Sequence, residues 1–385
     1  MHLRRLRPLT VLATTLVVVA CSPRPAPSAV EPGAPTTSSP PSAAVSLPIV
    51  TSAPATPASV AGQAWQLLTL PAGIPNGDLS AVAVDDQGWI AVGRRGTAGV
   101  LVLVSPDGRA WTEIDRALFS VGDTSNLSVA AGAAGRVIFA VLVDGRTACW
   151  HAAPGGSWKK VIFPSSPQVD GVVWGAGRFL ADGVVSPGSS SAHAGLWRSS
   201  DGITWHSIAS GPPSTGGLAH IATGFLLAGG LPSGGGASYS AVWLSTDGAT
   251  WSKPQRLPGG DTALASQVAG GSGGIVIWSD PPGGVTWTSA SGTAWAKETV
   301  SLASDTIFGV APLGTGFVLS GRDSPGSSDV FAFRPSLSAS WQEVPTEPNV
   351  GGLVTAIMEA PDGSQAVGVG NSGGGRPLIV VSPPD

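Results

Sequence analysis

The amino-acid sequence predicts an all-β protein: a seven-bladed β-propeller of four-stranded blades, in which an N-terminal strand closes the last blade. One observation behind this prediction is a tryptophan that recurs every 44 to 47 residues, a period typical of propeller blades. The other is composition, because 54 glycines and 34 prolines make almost a quarter of the 385 residues while only 11% are charged, against roughly 25% in ordinary soluble domains. Long charged helices are therefore excluded. The recurring residues are Trp65, Trp111, Trp158, Trp205, Trp251, Trp295 and Trp341.

A shared seven-residue phrase ends at several of these tryptophans. It reads Ser-x-Asp-Gly-x-x-Trp in residues 105–111, 199–205 and 245–251, and lacks the aspartate in residues 289–295. Asp accepts hydrogen bonds from backbone groups two residues on, and Gly supplies the positive φ of a tight turn, so the phrase predicts a hairpin. We expect the aspartates to form turns rather than act in catalysis, and the tryptophans to pack between blades rather than stack on sugars. These residues are Asp107, Asp201, Asp247 and Asp385, with Trp65, Trp111, Trp205 and Trp251.

Each repeat contains a second hairpin upstream of the phrase. In the first repeat, the apolar runs 79–84 and 89–92 flank the turn sequence Asp-Asp-Gln-Gly. Together with the apolar residues on both sides of the phrase, this makes four short strands per repeat. Four-stranded repeats of this length are the signature of propeller blades.

The two ends of the predicted propeller complement one another. Residues 378–385 contain the first half of the phrase, and residues 62–65 contain its second half. We therefore expect the N-terminal strand to complete the blade that the C-terminal strands begin, which removes both free sheet edges. The alternative is a separate cap from residue 342 onward, which would leave a six-bladed ring with an exposed edge.

The phrase resembles the Asp-box, or BNR repeat, of sialidases, sortilin-type receptors and a photosystem assembly factor. The resemblance covers residues 62–385, although the phrase here is one residue shorter than the usual Ser-x-Asp-x-Gly-x-x-Trp. It implies a sialidase-like propeller fold and is specific for fold rather than for activity.

Residues 1–20 are predicted to be a lipoprotein signal peptide. Three arginines precede an apolar run of 12 residues, which is too short to span a bilayer. Residues 18–21, Val-Val-Ala-Cys, resemble the lipobox of bacterial lipoproteins, in which the cysteine is lipidated. We therefore expect Cys21 to anchor the chain to the extracytoplasmic face of the cell membrane. The alternative is an ordinary secretory signal with a coincidental cysteine.

Residues 21–61 are predicted to be the lipidated cysteine and an extended tether. Pro, Ala, Ser and Thr account for 31 of residues 22–61, a composition that cannot form a core. In polyproline geometry this tether reaches at most ~120 Å. Signal-peptide cleavage would leave 17 basic and 24 acidic residues, a balance that disfavours non-specific nucleic-acid binding.

The candidate ligand site lies at the central opening of the face formed by the loops between the second and third strands and by the connections between blades. Charged residues in these loops cluster in blades six, seven, one and two, where guanidinium groups can hold a carboxylate or phosphate in a bidentate fork. The alternative is that each charge pairs with its own neighbours. Blades three to five offer His193 and Tyr239 in small loops. The clustered residues are Arg94, Arg95, Asp144, Arg146, Arg322, Asp323 and Arg376.

Catalytic and cofactor motifs are sparse. A sialidase-type enzyme needs an arginine triad and a tyrosine nucleophile paired with a carboxylate, yet Tyr239 is the single tyrosine and has Gly, Ser and Ala as sequence neighbours. We expect no metal and no cofactor, because no ligand spacing and no nucleotide-binding motif occurs. A hydrolase of another type remains an alternative, because the fold can bring carboxylates from distant loops together.

The sequence therefore favours a monomeric, non-catalytic binding or scaffold propeller on the outer side of the cytoplasmic membrane. Its expected partner is a protein or a cell-envelope glycan. Two alternatives remain: a degenerate sialidase-like glycoside hydrolase, and an assembly factor for a membrane complex.

Overall fold

Seven four-stranded antiparallel sheets form the part of the chain that the computed structural model describes. That part comprises residues 64–96, 99–164, 167–209, 211–213, 216–234, 237–260, 264–280, 285–300, 304–323, 329–344 and 352–383. The predicted signal peptide, Cys21, the whole tether and Asp385 lie outside it. Within these residues, no helix has the length and apolar character needed to cross a membrane.

Each sheet is one blade, and its strands follow one another in chain order. Blade I contains β2 (Gly77–Asp85), β3 (Gly88–Arg95), β4 (Val100–Ser105) and β5 (Thr112–Glu113). Blade II contains β6 (Thr124–Gly132), β7 (Gly135–Leu142), β8 (Thr147–Ala152) and β9 (Lys159–Val161). Blade III contains β10 (Gln168–Gly175), β11 (Arg178–Val185), β12 (His193–Ser199) and β13 (His206–Ser207). Blade IV contains β14 (Leu218–Ile221), β15 (Gly224–Gly234), β16 (Ala237–Ser245) and β17 (Gln255–Arg256).

The remaining blades repeat the pattern, except that the last one takes its outer strand from the N-terminal end. Blade V contains β18 (Leu264–Gly271), β19 (Gly274–Asp280), β20 (Val285–Ser289) and β21 (Ala296–Thr299). Blade VI contains β22 (Ser304–Leu313), β23 (Gly316–Asp323), β24 (Asp329–Arg334) and β25 (Gln342–Val344). Blade VII contains β26 (Gly352–Glu359), β27 (Ala366–Ser372), β28 (Pro377–Val381) and β1 (Gln66–Leu67).

The first strand of every blade contacts the first strands of both neighbouring blades. The seven first strands therefore form a closed inner ring around a central channel, and the short fourth strands lie at the rim. We call the face that carries the turns between strands one and two and between strands three and four the turn face. The opposite face, with the loops between strands two and three and the connections between blades, is the loop face.

The apolar cores lie between blades rather than within a single central core. One cluster joins Ile90 and Val92 of blade I to Ile138 and Ala140 of blade II. The middle strands are consequently covered on both faces, and this explains why β4 reads as an uninterrupted apolar run. The rim strand β5 is largely exposed instead.

Buried arginines add ion pairs between neighbouring blades. Arg136 of blade II places Nε 2.9 Å from Asp85 Oδ2 of blade I and donates from Nη2 to the Gly88 carbonyl. Arg334 of blade VI forms a fork with Glu298 of blade V, with N–O distances of 2.8 and 3.0 Å. Removing Asp85 or Glu298 would leave a buried guanidinium group without its counter-charge.

Strand β1 closes the ring, as the sequence predicts. Gln66 pairs with Val381, and Leu67 pairs with Val380. Next to this strand, Trp65 is fully buried and stacks on Phe331 of blade VI at a centroid distance of 4.9 Å. The seven-bladed prediction is confirmed, and the alternative of a six-bladed ring with a separate cap is excluded.

Replacing Trp65 by Ala should lower the free energy of unfolding by about 3–5 kcal/mol, because a fully buried indole leaves a large cavity. Urea unfolding followed by circular dichroism measures the loss. The matched control is Leu67→Ala in the adjoining strand, where the side chain is 38% exposed and the expected loss is below about 1 kcal/mol. Equal losses in the two variants would contradict a closing role for Trp65.

Candidate functional site

The central channel widens at the turn face into a cavity of about 530 Å³. Its wall is formed by the last residues of the seven first strands. At one register position, opposite the second residue of the second strand, every blade contributes one residue to this wall. We call this cavity the funnel, and its register residues are Val84, Ala131, Trp174, His220, Gly270, Pro312 and Met358.

Two ionisable side chains, His220 and Glu359, occur among the described residues that line the funnel. Burial raises the pKa of Glu359, the hydrogen bond that its carboxylate accepts from the Gly314 N–H opposes this rise, and Asp362 adds to it. Burial lowers the pKa of His220, whose ring packs edge-on against Phe225 at a centroid distance of 5.7 Å. The funnel is thus an apolar cavity with one carboxyl group and one imidazole.

The polar and aromatic groups of the funnel lie on opposite sides of the ring. Trp174 belongs to blade III and His220 to blade IV, whereas Glu359 belongs to blade VII, which is diametrically opposite in a ring of seven. Trp174 is held by Phe179 of its own blade at a centroid distance of 4.6 Å. One wall therefore offers aromatic surface, and the other offers negative charge when Glu359 is ionised.

The phrase aspartates accept the same hydrogen bonds in blades I, III and IV. The Oδ1 atom of Asp107 accepts from the N–H groups of Arg109 and Ala110, both at 2.8 Å, and from the Ser105 hydroxyl. Asp201 and Asp247 each accept from the N–H groups two and three residues on, at 2.8 to 2.9 Å. The indole N–H groups of Trp111 and Trp205 donate to the carbonyl of the phrase glycine. Trp111 and Trp205 are buried, and Trp251 is half-buried.

Hydrogen bonding also lowers the pKa of these aspartates. Burial raises the pKa of Asp201, but the hydrogen bonds from the N–H groups of Thr204 and Ile203 and from the Ser199 hydroxyl outweigh burial and lower this pKa to about 2. In blade V, Ser291 takes the aspartate's place and contacts the Thr293 hydroxyl at 2.8 Å. The degraded phrase thus keeps its turn without the carboxylate.

On the loop face, two of the predicted arginines pair with carboxylates of blade I. Arg94 donates from its Nε to Asp78 Oδ2 at 2.9 Å, and this hydrogen bond raises the pKa of Arg94. Arg95 forms an ion pair with Glu113 of the rim strand. Burial lowers the pKa of Arg95, and the positive charge of Arg116 lowers it further.

Blades II to IV show similar local contacts at the loop face. Arg146 pairs with Asp144 at 2.6 Å across a single exposed turn, and the hydrogen bond from Arg146 lowers the pKa of Asp144. His193 is exposed, with Nδ1 at 2.8 Å from the Ser191 carbonyl. The Tyr239 ring is half-buried and carries the guanidinium of Arg256 4.7 Å from its centroid.

The three remaining predicted residues lie in blades VI and VII. Arg322 is half-buried and pairs with Thr306 in the sheet, and Asp323 is the last residue of β23. Arg376 is exposed in the turn between β27 and β28, where its backbone N–H donates to the Ser372 hydroxyl. The structure thus gives Arg94, Arg95 and Arg146 partners within their own blades. Ligand binding by the loop-face residues stays a prediction.

No motif in the sequence predicts the funnel. Its register residues are separated by about one repeat and include no catalytic residue pair or ligand motif. An alignment of the repeats on Phe179 and Phe225 would have placed Trp174 and His220 at one position, five residues upstream of each. Elsewhere in the described part of the chain, no three His, Cys, Asp or Glu side chains gather to hold a metal ion. Cys149 is buried, and burial raises the pKa of its thiol.

The strands and the funnel define a seven-bladed β-propeller, and solved structures with this fold are similar to the chain. YCF48 bound to a D1 peptide has a TM-score of 0.56 at 14% identity, over 85% of this chain and 100% of that one. The GH74 xyloglucanase from Xanthomonas campestris has 0.53 at 16% identity, over 82% of this chain and 55% of that one. The propeller domain of the Trilobed protease from Pyrococcus furiosus has 0.53 at 8% identity, over 80% and 95%. No family model and no curated protein matches. Identities this low establish the fold alone.

Replacing Ser291 by Asp should restore the missing turn carboxylate and raise the free energy of unfolding by about 0.5–1.5 kcal/mol, as expected for added backbone hydrogen bonds. Because the equivalent Asp201 has its pKa lowered from 3.8 to about 2, the gain should be full above pH 4 and lost as the pH falls through 2. Urea unfolding at several pH values measures it. The control Ser291→Asn provides an uncharged acceptor, so any gain should be independent of pH. A loss of stability in Ser291→Asp at pH 7 would refute this role of the carboxylate.

Proposed function

We propose that this chain is a membrane-tethered, extracytoplasmic β-propeller that binds a partner without catalysing a reaction. The partner we favour, from the protein and glycan alternatives, is a protein segment. The segment enters the funnel with apolar side chains and carries one cationic group. The observation that carries this proposal is the funnel itself, with its apolar wall and the single carboxylate among its described lining residues.

The dimensions and chemistry of the funnel support binding. A volume of about 530 Å³ falls in the range of roughly 300–1,000 Å³ that is usual for ligand sites. Ala, Val, Pro, Ile and Met side chains make up most of its wall, and these favour apolar protein side chains over a hydroxyl-rich sugar. Trp174 adds one aromatic face at which a segment can pack.

The carboxyl group of Glu359 favours a cation in the bound segment. Burial and the neighbouring Asp362 both raise its pKa, so a positive charge placed beside it would stabilise the ionised form. The described lining residues include no lysine or arginine that could supply this charge. A lysine or arginine of the partner is the complementary group.

The same geometry speaks against the hydrolase alternative. Glycoside hydrolysis uses two carboxyl groups roughly 5–10 Å apart on either side of the scissile bond, and Glu359 is the one carboxylate among the described residues of the funnel wall. On the loop face, Arg94, Arg95 and Arg146 already pair with carboxylates. YCF48, which has a similar fold, is bound to a D1 peptide in its solved structure. This supports peptide binding as a function of the fold.

Tethering follows from the sequence features outside the described residues. The lipobox-like residues 18–21 and the tether of residues 22–61 would hold the propeller within ~120 Å of the membrane. A partner in or near that membrane is therefore the natural target, and an assembly role for a membrane complex is one form of this function.

Photo-crosslinking in the producing cells tests the funnel. A benzoylphenylalanine placed at Met358, in the funnel wall, should give a discrete protein adduct identifiable by mass spectrometry. Adding Glu359→Gln should reduce the adduct at least fivefold, because the cationic group of the partner loses its counter-charge. The matched control carries the crosslinker at Val143, which is 71% exposed and lies on the loop face. Equal adducts at the two positions, or a carbohydrate adduct at Met358, would contradict the proposal.

The lipid anchor is tested by fractionation of cells. Replacing Cys21 by Ser should move the chain from the membrane fraction to the soluble extracytoplasmic fraction and abolish labelling by radioactive palmitate. The control Cys149→Ser changes a buried thiol in blade II and should leave both readouts unchanged. Membrane retention and labelling of the Cys21→Ser chain would contradict anchoring at this residue.

A further inference from the structure

Asp182 is a buried carboxyl group in the middle of blade III. Its side chain is 1% exposed, and it lies at the fifth residue of the second strand, β11. Five other blades have an uncharged side chain at this position. They carry Val92, Phe139, Ala228, Trp278 and Ser320 there, all of them buried. Blade III therefore departs from its own repeat at a site where a charge is costly.

The carboxylate of Asp182 lacks partners among the described residues. Neither of its oxygens has a partner at hydrogen-bond geometry, although the N–H groups of Gly216 and of Asp182 itself lie close enough to lower the pKa of Asp182. A Cβ atom on Gly171 would lie 2.6 Å from Asp182 Oδ1, so glycine at position 171 leaves room for the carboxylate where it now lies. Burial, with repulsion from Asp170, raises the pKa of Asp182 to about 7.

Asp170 departs from the repeat in a complementary way. It is the extra residue of a β-bulge between Val169 and Gly171, opposite β11. The same bulge position is occupied by Ser266 in blade V, and the bulge of blade VII, one residue pair nearer the turn, contains Thr355. Those hydroxyls donate to the strand-two carbonyls of Trp278, at 3.3 Å, and Val369, at 3.2 Å.

In blade III the backbone carbonyl of Asp182 has the same place relative to the bulge as the Trp278 and Val369 carbonyls have in blades V and VII. An ionised Asp170 has no proton to donate to it. Its Oδ1 accepts from the Gln168 amide at 2.8 Å. The bulge therefore gathers two carboxylates and a carbonyl oxygen, with few donors. An arrangement of this kind requires a positive species between its oxygens.

We propose that blade III binds a hard divalent cation of the Ca²⁺ type between Asp170 and Asp182. Ca²⁺ takes 6–8 oxygen ligands from carboxylates, carbonyls and water. Asp170 is only half-buried, so water can complete the shell and the ion has a route of entry. A set of two carboxylates suits the weak affinities, roughly 10⁻⁴–10⁻³ M, of extracellular calcium sites. The site is independent of what the funnel binds.

Thermal unfolding of the full chain in detergent at pH 8 tests the site. Addition of 5 mM CaCl₂ in place of EDTA should raise Tm by about 2 °C or more, since the ion binds the folded state alone. Asp182→Asn and Asp170→Ser should each abolish the shift. Asp170→Ser introduces the hydroxyl that Ser266 provides in blade V, so this variant is expected to fold. The control Asp362→Asn, in an exposed turn, should keep the shift.

Terbium luminescence provides a second readout that does not depend on stability. Tb³⁺, excited through tryptophan, should bind the wild-type chain and be displaced by Ca²⁺, and both Asp170→Ser and Asp182→Asn should reduce its emission at least tenfold. The proposal is overturned if Ca²⁺ leaves both Tm and Tb³⁺ emission unchanged. In that case, if the Asp182→Asn variant has a higher Tm than the wild type both in EDTA and in CaCl₂, Asp170 and Asp182 share a proton rather than a metal ion.

Discussion

Two residue pairs, Gln66 with Val381 and Leu67 with Val380, join the first described strand to the last. Without them blade VII would have three strands, and β28 would expose an edge able to pair with other chains. The consequence extends beyond that edge, because the funnel is bounded by all seven first strands and its width depends on a closed ring. Burial of Trp65 against Phe331 gives this short pairing an apolar anchor in blade VI.

The phrase glycines adopt a positive φ and pack closely against the preceding blade. These two roles explain why a phrase can keep its turn after its aspartate is replaced. Gly108 and Gly202 both have φ near 72°, which side chains rarely adopt. A Cβ on either would also collide with the preceding blade, at 2.4 Å from Gln365 and 2.5 Å from His151. The aspartate contributes only turn hydrogen bonds. It follows that blade V can lose the carboxylate at Ser291 yet retain Gly292, whose φ is 86°.

Local signals made the fold predictable, whereas the site depends on register. The tryptophan period is legible within about 50 residues and predicted the number of blades. Ring closure followed from comparing residues 62–65 and 378–385 with the complete phrase. The pairing of Arg95 with Glu113 depends on how β3, β4 and β5 align. The funnel is harder still to predict, because Val84, Trp174 and His220 form no motif and come together only when the seven blades are superimposed. Asp182 carries no sequence signal, since its burial is a property of the interface between blades.

Blade III concentrates the departures from the repeat, and strand β10 connects them. Asp170 lies at the loop-face end of this strand, and Trp174 lies four residues on, in the funnel wall. At ~3.3 Å per residue this separation is about 13 Å along one strand. A cation held between Asp170 and Asp182 would therefore restrain the strand that positions the aromatic wall. In blades V and VII a hydroxyl hydrogen bond at the bulge, from Ser266 and Thr355, provides a comparable restraint. If blade III binds a cation as proposed, the order of one funnel wall would therefore depend on a soluble ion as well as on the packing between blades.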